Sequence, residues 1–398
     1  MPPDPWHWWN CRSHKTCHHN KVPQNCGFSP ENRRFPDSPP ADPGIPPCGC
    51  RYHSAAAAAP NPAAQTARLW SSLWLKSGLN KKKSLHISTE LSYKYNLLIS
   101  NGTTSFSNIV DLNLLQLSGH WAFGRNNLFV DIGRFPYSDI SGSVFSQKSD
   151  GLSVRFGNMS WNAGLYAGYT GGLNRFTVGM TDILEPKMEQ FYDLCYGYVP
   201  ILADFSLSAR NNNSFTFQLG YFLDVTTGKN SKEVFEFAAN GPLGYIGNYS
   251  FNLAASSENF KNLMIYSNFD FSFYLLNNLI LSFGADYTSG DHGFLGMFVP
   301  VTYKTIHNSQ SVIFGADVIV PRLTGIFVID KLCITANEKV VLSLPKKGFT
   351  LNGLDTSISA VYNIFSDLQV SCMLNAYVDL VNKDFNNYNF TLNAGFAF

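Results

Sequence analysis

The sequence predicts an all-β protein, a transmembrane antiparallel β-barrel, on three observations: segments of strict alternation, a scarcity of charge, and an alternating strand at the chain end. Of 398 residues, 14% are charged and 15% are aromatic, and the net charge is +1. Ordinary globular domains carry roughly 25% charged residues. No apolar run reaches the roughly 18 residues that a spanning helix needs, and the near-zero net charge argues against a nucleic-acid partner.

Residues 388–398 (YNFTLNAGFAF) form the clearest strand, because every second side chain is apolar. These side chains are Tyr388, Phe390, Leu392, Ala394, Phe396 and Phe398. In a soluble protein such an apolar edge would template aggregation, whereas a closed barrel has no edge. We therefore predict that this strand closes the barrel and that the outer-membrane barrel-assembly machinery engages it.

The composition divides the chain near residue 83. Thirteen of the 20 prolines, five of the 8 cysteines and five of the 9 histidines lie at or before Pro62. Residues 1–83 are predicted to be irregular or disordered, and whether they belong to the mature protein is left open. Their cysteine spacings match no standard zinc pattern. No signal peptide is visible at Met1, although an outer-membrane protein needs one for export.

Alternation begins at Leu85 and continues to the end, so residues 84–398 are assigned to the barrel. A phase slip near Leu114-Leu115 predicts a β-bulge. The predicted strands span residues 85–97, 109–123, 128–134, 159–170, 201–210, 215–224, 263–275, 279–287, 358–364, 368–380 and 388–398.

Short turns alternate with long connections at 171–200, 226–245 and 290–310. This is typical of outer-membrane barrels, and roughly ten residues per strand with a similar share of loop gives roughly 14 to 16 strands. Barrels of that size enclose a lumen that side chains do not fill. A soluble β-sandwich also alternates, but its outer faces would be richer in Lys and Glu.

Charged side chains lie on the polar faces of the predicted strands and are candidates to line the lumen. They are Glu90, Lys94, Asp111, Asp131, Arg134, Asp204, Arg210, Asp224, Asp270 and Asp286. Both signs occur, which suits weak selection among polar solutes.

Residues 129–171 combine a strand ending in Gly-Arg, a loop, a strand led by Gln-x-x-Asp-Gly and a return as Tyr-x-Gly-Tyr-Thr-Gly. This stretch resembles porin-like outer-membrane β-barrel proteins of spirochaetes, treponemes in particular. The resemblance covers residues 84–398 at most. It implies a strand, an inward-folding loop and a hairpin, with Arg134 and Asp150 at the edge of the pore.

Residues 171–200 could include a short helix over 181–192 and could fold either into the pore or outward. Ser118 with His120, and Asp291 with His292, are pairs seen in enzymatic barrels, but each lacks the third member that catalysis requires. The sequence therefore predicts no enzyme, cofactor or metal site.

Together these observations predict an outer-membrane porin-like channel for passive diffusion of small hydrophilic solutes. The expected partners are membrane lipid and small solutes, and a homo-oligomer is left open. Two alternatives remain at this point: a FadL-like transporter of hydrophobic ligands, and a surface adhesin or antigen whose loops bind host molecules.

Overall fold

A computed structural model describes residues 65–82, 84–100, 103–181, 192–209, 212–290, 295–302, 317–344, 349–365, 368–381 and 386–396. Within these ranges the chain forms 17 strands and one short 3-10 helix, Arg175–Thr177. No helix in the described part of the chain is long and apolar enough to cross a membrane.

The strands follow one another along the chain with few residues between most of them. They are β1 (Gln65–Gly78), β2 (Leu85–Ser100), β3 (Thr103–Phe123), β4 (Asn126–Ser138), β5 (Ser146–Gly157), β6 (Trp161–Tyr169), β7 (Tyr198–Ser208), β8 (Ser214–Asp224), β9 (Lys232–Pro242), β10 (Gly247–Glu258), β11 (Leu263–Leu276), β12 (Leu279–Thr288), β13 (Val318–Ile329), β14 (Leu332–Ser343), β15 (Thr350–Asn363), β16 (Leu368–Asp379) and β17 (Asn387–Phe396).

Each strand pairs antiparallel with its neighbours in the chain, from β1–β2 through β16–β17. The sheet formed by β1–β17, which we call the wall, is therefore a continuous antiparallel meander, as predicted for a transmembrane barrel. Among the described residues no register joins β1 to β17, so the closure expected of the C-terminal strand is not present there. Phe398, which was predicted to take part in it, lies outside the described residues.

The two faces of the wall differ as the alternation predicts. On β8, Leu219 is 64% exposed, whereas its neighbour Gln218 is 2% exposed and faces the other way. On β7 the same contrast separates exposed Phe205 from buried Asp204. We call these the apolar face and the polar face. An exposed apolar face on a meander of this length is suited to contact with lipid.

Strand β1 lies inside the segment for which the sequence predicted irregular structure. It pairs with β2 along its whole length, from Gln65↔Ile99 to Gly78↔His86. The alternation of β1 is interrupted by two consecutive polar residues, Ser71 and Ser72, and three consecutive apolar residues, Leu73, Trp74 and Leu75. Because the period of two is broken, the sequence pattern does not predict this strand. The remaining 16 strands, β2–β17, agree with the predicted number for residues 84–398.

Strand β9 occupies part of residues 226–245, which the sequence analysis treated as a long connection. Lys232, Val234 and Glu236 share one face, and Glu233 and Phe235 share the other. Because both faces mix apolar and charged side chains, the alternation does not appear. The bulge predicted near Leu114-Leu115 is present, since the pairing passes from Glu90↔Leu114 to Leu91↔Leu112.

Candidate functional site

Three connections fold back against the polar face instead of extending away from the strand ends. We call them loop A (139–145, between β4 and β5), loop B (170–197, between β6 and β7) and loop C (289–317, between β12 and β13). Loop A is described throughout, loop B over 170–181 and 192–197, and loop C over 289–290, 295–302 and 317. The predicted helix within loop B falls on residues that are mostly outside the described ranges.

Loop A reaches the polar face of β8 and β9. The backbone N–H of Ile140 donates to Gln218 Oε1 at 3.1 Å, and that of Ser141 donates to Glu236 Oε2 at 3.1 Å. These contacts join residues 78 and 95 positions apart in the chain. Loop A therefore lies against the polar face of the wall.

Loops B and C complete a single hydrogen-bonded unit with loop A. The N–H groups of Val301 and Thr302 donate to Val144 O at 2.8 and 3.0 Å. From loop B, Thr181 N–H donates to Val301 O at 3.1 Å. The wall joins in through Lys232 Nζ, which donates to Val299 O at 3.0 Å.

An apolar cluster fills the space between these loops and the wall. The loops contribute Val144, Phe145, Leu173, Phe298 and Val301, and the polar-side surface of the strands contributes Tyr166, Leu202, Phe222, Met264 and Tyr266. All of these side chains are buried. The polar side of β6–β11 is thus covered by packed protein.

Gly133 lies where β3 and β4 stop pairing. Its φ of +117° is in a region that favours glycine, and a Cβ at this position would collide with the carbonyl oxygen of Leu115. The β3–β4 pairing ends at the next position, Leu115↔Arg134, while β4 continues to pair with β5 as far as Ser138. Glycine at this position therefore allows the close approach of β3 at the point where the two strands separate.

Arg134, the next residue, links β4 to loop B. Its guanidinium makes two parallel hydrogen bonds of 2.7 Å to the carboxylate of Asp150 and a third, of 3.0 Å, to Gly172 O in loop B. Bidentate pairing of this kind fixes geometry as well as charge. Arg134 and Asp150 therefore join β4, β5 and loop B, and the position at the edge of a pore that the resemblance implies for them stays a prediction.

A row of charged residues crosses the polar face of β11–β15 at one level. Successive cross-strand partners are Asp270, Gly284, Arg322, Lys339 and Asp355. We call these residues, together with Asp286, the charge row. Arg322 Nε donates to Asp270 Oδ1 at 3.0 Å and Nη1 donates to Asp286, while Lys339 Nζ lies 3.7 Å from Asp355 Oδ2.

The sequence predicts two of these carboxylates, Asp270 and Asp286, as lumen-lining residues, but its alternation does not indicate Arg322, Lys339 or Asp355. Strand β13 (VIVPRLTGIFVI) is apolar on both faces, so it shows no alternation. The available signal was the single arginine in an otherwise apolar stretch, because an isolated cation there needs an acidic partner.

The other predicted lumen residues are found in several different environments. Glu90 accepts from Asn113, Asp131 accepts from Gln116 and Ser118, and buried Asp111 pairs with Lys148. Asp204 is buried on β7 and Lys94 is partly exposed on β2.

Asp224 does not stand free in a lumen. It ends β8 and accepts from the backbone N–H groups of Thr226, Thr227, Lys229 and Asn230, so it organises the following turn. Arg210 lies outside the described residues.

The paired residues considered as catalytic have other partners. Ser118 donates to Asp131, and His120 Nε2 lies 3.1 Å from Asn127 Oδ1 while its ring stacks on Phe129. Asp291 and His292 lie outside the described ranges. Within the residues that the structure describes, no group of three or more His, Cys, Asp or Glu side chains is arranged to hold a metal ion.

No protein-family model matches the chain, and no curated protein sequence matches it. Solved structures do. OccK7 (OpdD) of Pseudomonas aeruginosa superposes with a TM-score of 0.55 and 11% identity, over 84% of this chain and 92% of that one. The chain shares its fold.

Two further structures give the same result. OccK9 (OpdG) of Pseudomonas aeruginosa has a TM-score of 0.53 and 13% identity, covering 87% of this chain and 94% of that one. OccAB4 of Acinetobacter baumannii has a TM-score of 0.51 and 8% identity, covering 84% and 90%. These likenesses confirm the predicted barrel fold. They do not bear on the spirochaetal part of the resemblance.

Proposed function

We propose that this protein is a porin-like channel of the outer membrane that passes small hydrophilic solutes by passive diffusion. One observation carries the proposal: a wall with an exposed apolar face carries charged side chains and inward-folded loops on its opposite face. A wall of this size encloses a water-filled space when it closes. The loops and the charge row then line the narrowest part of the path.

The charge row supplies the means of selection. Asp270, Arg322, Lys339 and Asp355 cross the wall at one level, Asp286 lies two residues along β12 from it, and ion pairs hold the five charges together. Fixed charges of both signs set up a transverse field that favours polar solutes over apolar ones. Glu90, Lys94, Asp111, Asp131 and Asp204 extend this polar surface along the wall.

The described parts of the loops favour a channel over the two alternatives. An adhesin would present its long loops to the outside, yet Leu173, Phe298 and Val301 are buried against the wall. A transporter of hydrophobic ligands needs an open apolar track. Here the apolar side chains of loops and wall are packed against one another.

Further parts of the proposal concern partners and source. We propose that β17, whose Tyr388, Phe390 and Leu392 are strongly exposed, engages the barrel-assembly machinery. Association with further copies of the chain, the absence of enzymatic activity and the spirochaetal resemblance remain predictions.

Planar-bilayer recording tests the proposal. Protein refolded in detergent and added to one chamber should give stepwise, long-lived current increases in KCl. A heat-denatured sample of the same preparation is the control. Absence of steps from protein that shows a folded β-rich circular dichroism spectrum would contradict a channel.

A further inference from the structure

Two buried carboxyl groups meet where loop A contacts the wall. Glu236 of β9 is 0% exposed and Asp139 of loop A is 2% exposed. They are joined through Ser141, whose Oγ lies 2.6 Å from Asp139 Oδ2 and 3.3 Å from Glu236 Oε1. When both are ionised, the two carboxylates carry only acceptor atoms, so the single proton of the Ser141 hydroxyl cannot serve both of them.

The hydrogen-bond partners favour Glu236 as the group that holds the proton. Asp139 accepts from the backbone N–H groups of Ser143, Val144 and Phe145 at 3.2 to 3.3 Å, an arrangement suited to an ionised carboxylate. Ser141 Oγ accepts from the backbone N–H of Ser143 at 3.1 Å and also contacts Ser143 Oγ. With its own proton on the shorter contact to Asp139, Ser141 Oγ makes a hydrogen bond to Glu236 Oε1 when Glu236 holds a proton.

No cation of the described residues forms an ion pair with either group. Beside Glu236, β8 presents Gln218 and β10 presents Ala254. On its own strand, Lys232 lies four residues away and has its ammonium at Val299 O and Glu258. Beyond Gln218, the next cross-strand partner is Asp204 on β7, which is also acidic.

Among these neighbours, Asp139 repels a second negative charge at Glu236, and the Lys232 ammonium is already engaged with Val299 O and Glu258. A buried pair of like charges without a cation is strongly unfavourable. Ionisation of both Asp139 and Glu236 therefore opposes the docked position of loop A.

We propose that one proton shared by Asp139 and Glu236 holds loop A against the wall, and that its loss at higher pH releases the loop and widens the passage. The inference rests on the proposed channel function. Below the pH at which the pair loses this proton, loop A is docked; above it, repulsion separates Asp139 and Ser141 from Glu236. The protein thus acts as a pH-responsive channel.

Single-channel conductance across about pH 4 to 9 tests this. Wild type should change from a small to a larger conductance as pH rises. Glu236→Gln keeps a hydrogen-bond donor without the ionisable group, so its conductance should stay small across the range. The control is Glu233→Gln on the same strand, whose carboxylate accepts from Ser257 and Phe260 on the other face, and which should respond as wild type does.

Hydrogen exchange gives a readout that does not depend on current. At the upper pH limit, the amides of Ile140 and Ser141 should exchange at least about tenfold faster in wild type than in Glu236→Gln, the factor expected for one unit of pKa linkage. Because wild type and Glu236→Gln are compared at the same pH, the intrinsic acceleration of amide exchange by hydroxide is the same in both and cancels.

The outcomes separate the two proposals. Absence of current from folded protein at every pH contradicts the channel, while exchange still decides the inference. Equal exchange in wild type and Glu236→Gln, or a pH response retained in Glu236→Gln, would overturn the shared-proton inference and leave the channel intact.

Discussion

Ile358 offers a direct test of which face of the wall meets lipid. It lies on the apolar face of β15, is 46% exposed, and pairs with Ala336 and Leu374 on the adjacent strands. Its neighbour Ser359 points to the opposite, polar face. Replacing either residue by Arg adds the same charge to the same strand, so the two variants differ only in the side that receives it.

The expected costs differ by a large factor. An Arg on the lipid side near the bilayer midplane costs roughly 2–4 kcal/mol, which is a factor of about 30 to 1,000 in the folding equilibrium. We expect Ile358→Arg to lose this amount. Ser359→Arg should lose less than about 1 kcal/mol, because its guanidinium reaches water.

Urea unfolding of protein refolded into lipid vesicles, followed by tryptophan fluorescence, measures both values. Ile358→Ala separates loss of packing from the cost of charge. The assignment of faces would be refuted if Ser359→Arg were the more damaging variant. It would also be refuted if Ile358→Arg unfolded at the same urea concentration as wild type.

Two further predictions concern charge and thiol reactivity. Arg322→Met removes the cation between Asp270 and Asp286, so the zero-current potential in a KCl gradient should move toward the K⁺ equilibrium value. The control, Arg125→Met in the β3–β4 turn, should leave this potential unchanged. An unchanged potential for Arg322→Met would show that the charge row lies off the conduction path. Burial raises the pKa of Cys195 in loop B to about 11, so at pH 8 only about one thiol in a thousand is ionised. With every other cysteine replaced by serine, folded protein should react with a maleimide at least about a hundredfold more slowly than urea-unfolded protein, and rapid labelling of the folded form would contradict the packing of loop B.

The strands that sequence reasoning recovers are those with one lipid-facing and one polar face. β7 and β8 are of this kind, because Phe205 and Leu219 alternate with Asp204 and Gln218. Strand β9 does not show this alternation. β9 faces loop A, so its inner face carries Val234 beside Glu236, and a period of two no longer separates apolar from polar.

The candidate site was recovered only in part for a related reason. Carboxylates such as Asp270 and Asp286 stand in alternating strands and were found. Arg322 stands in an apolar strand, and its significance depends on partners on β11 and β12 that only the register identifies. The inward contacts of loop A join residues more than 70 positions apart, and no local pattern reports such a distance.

The 17 strands formed by the described residues have a consequence for how a barrel could close. In an unbroken antiparallel run every odd-numbered strand points the same way, so β1 and β17 are parallel to each other. Bacterial single-chain barrels have even strand numbers and antiparallel seams. β17 has the direction needed to bond to β2, but β1 already occupies that margin over fourteen positions. Pairing of β17 with β2 therefore requires β1 to dissociate from β2, unless another strand lies between β1 and β17.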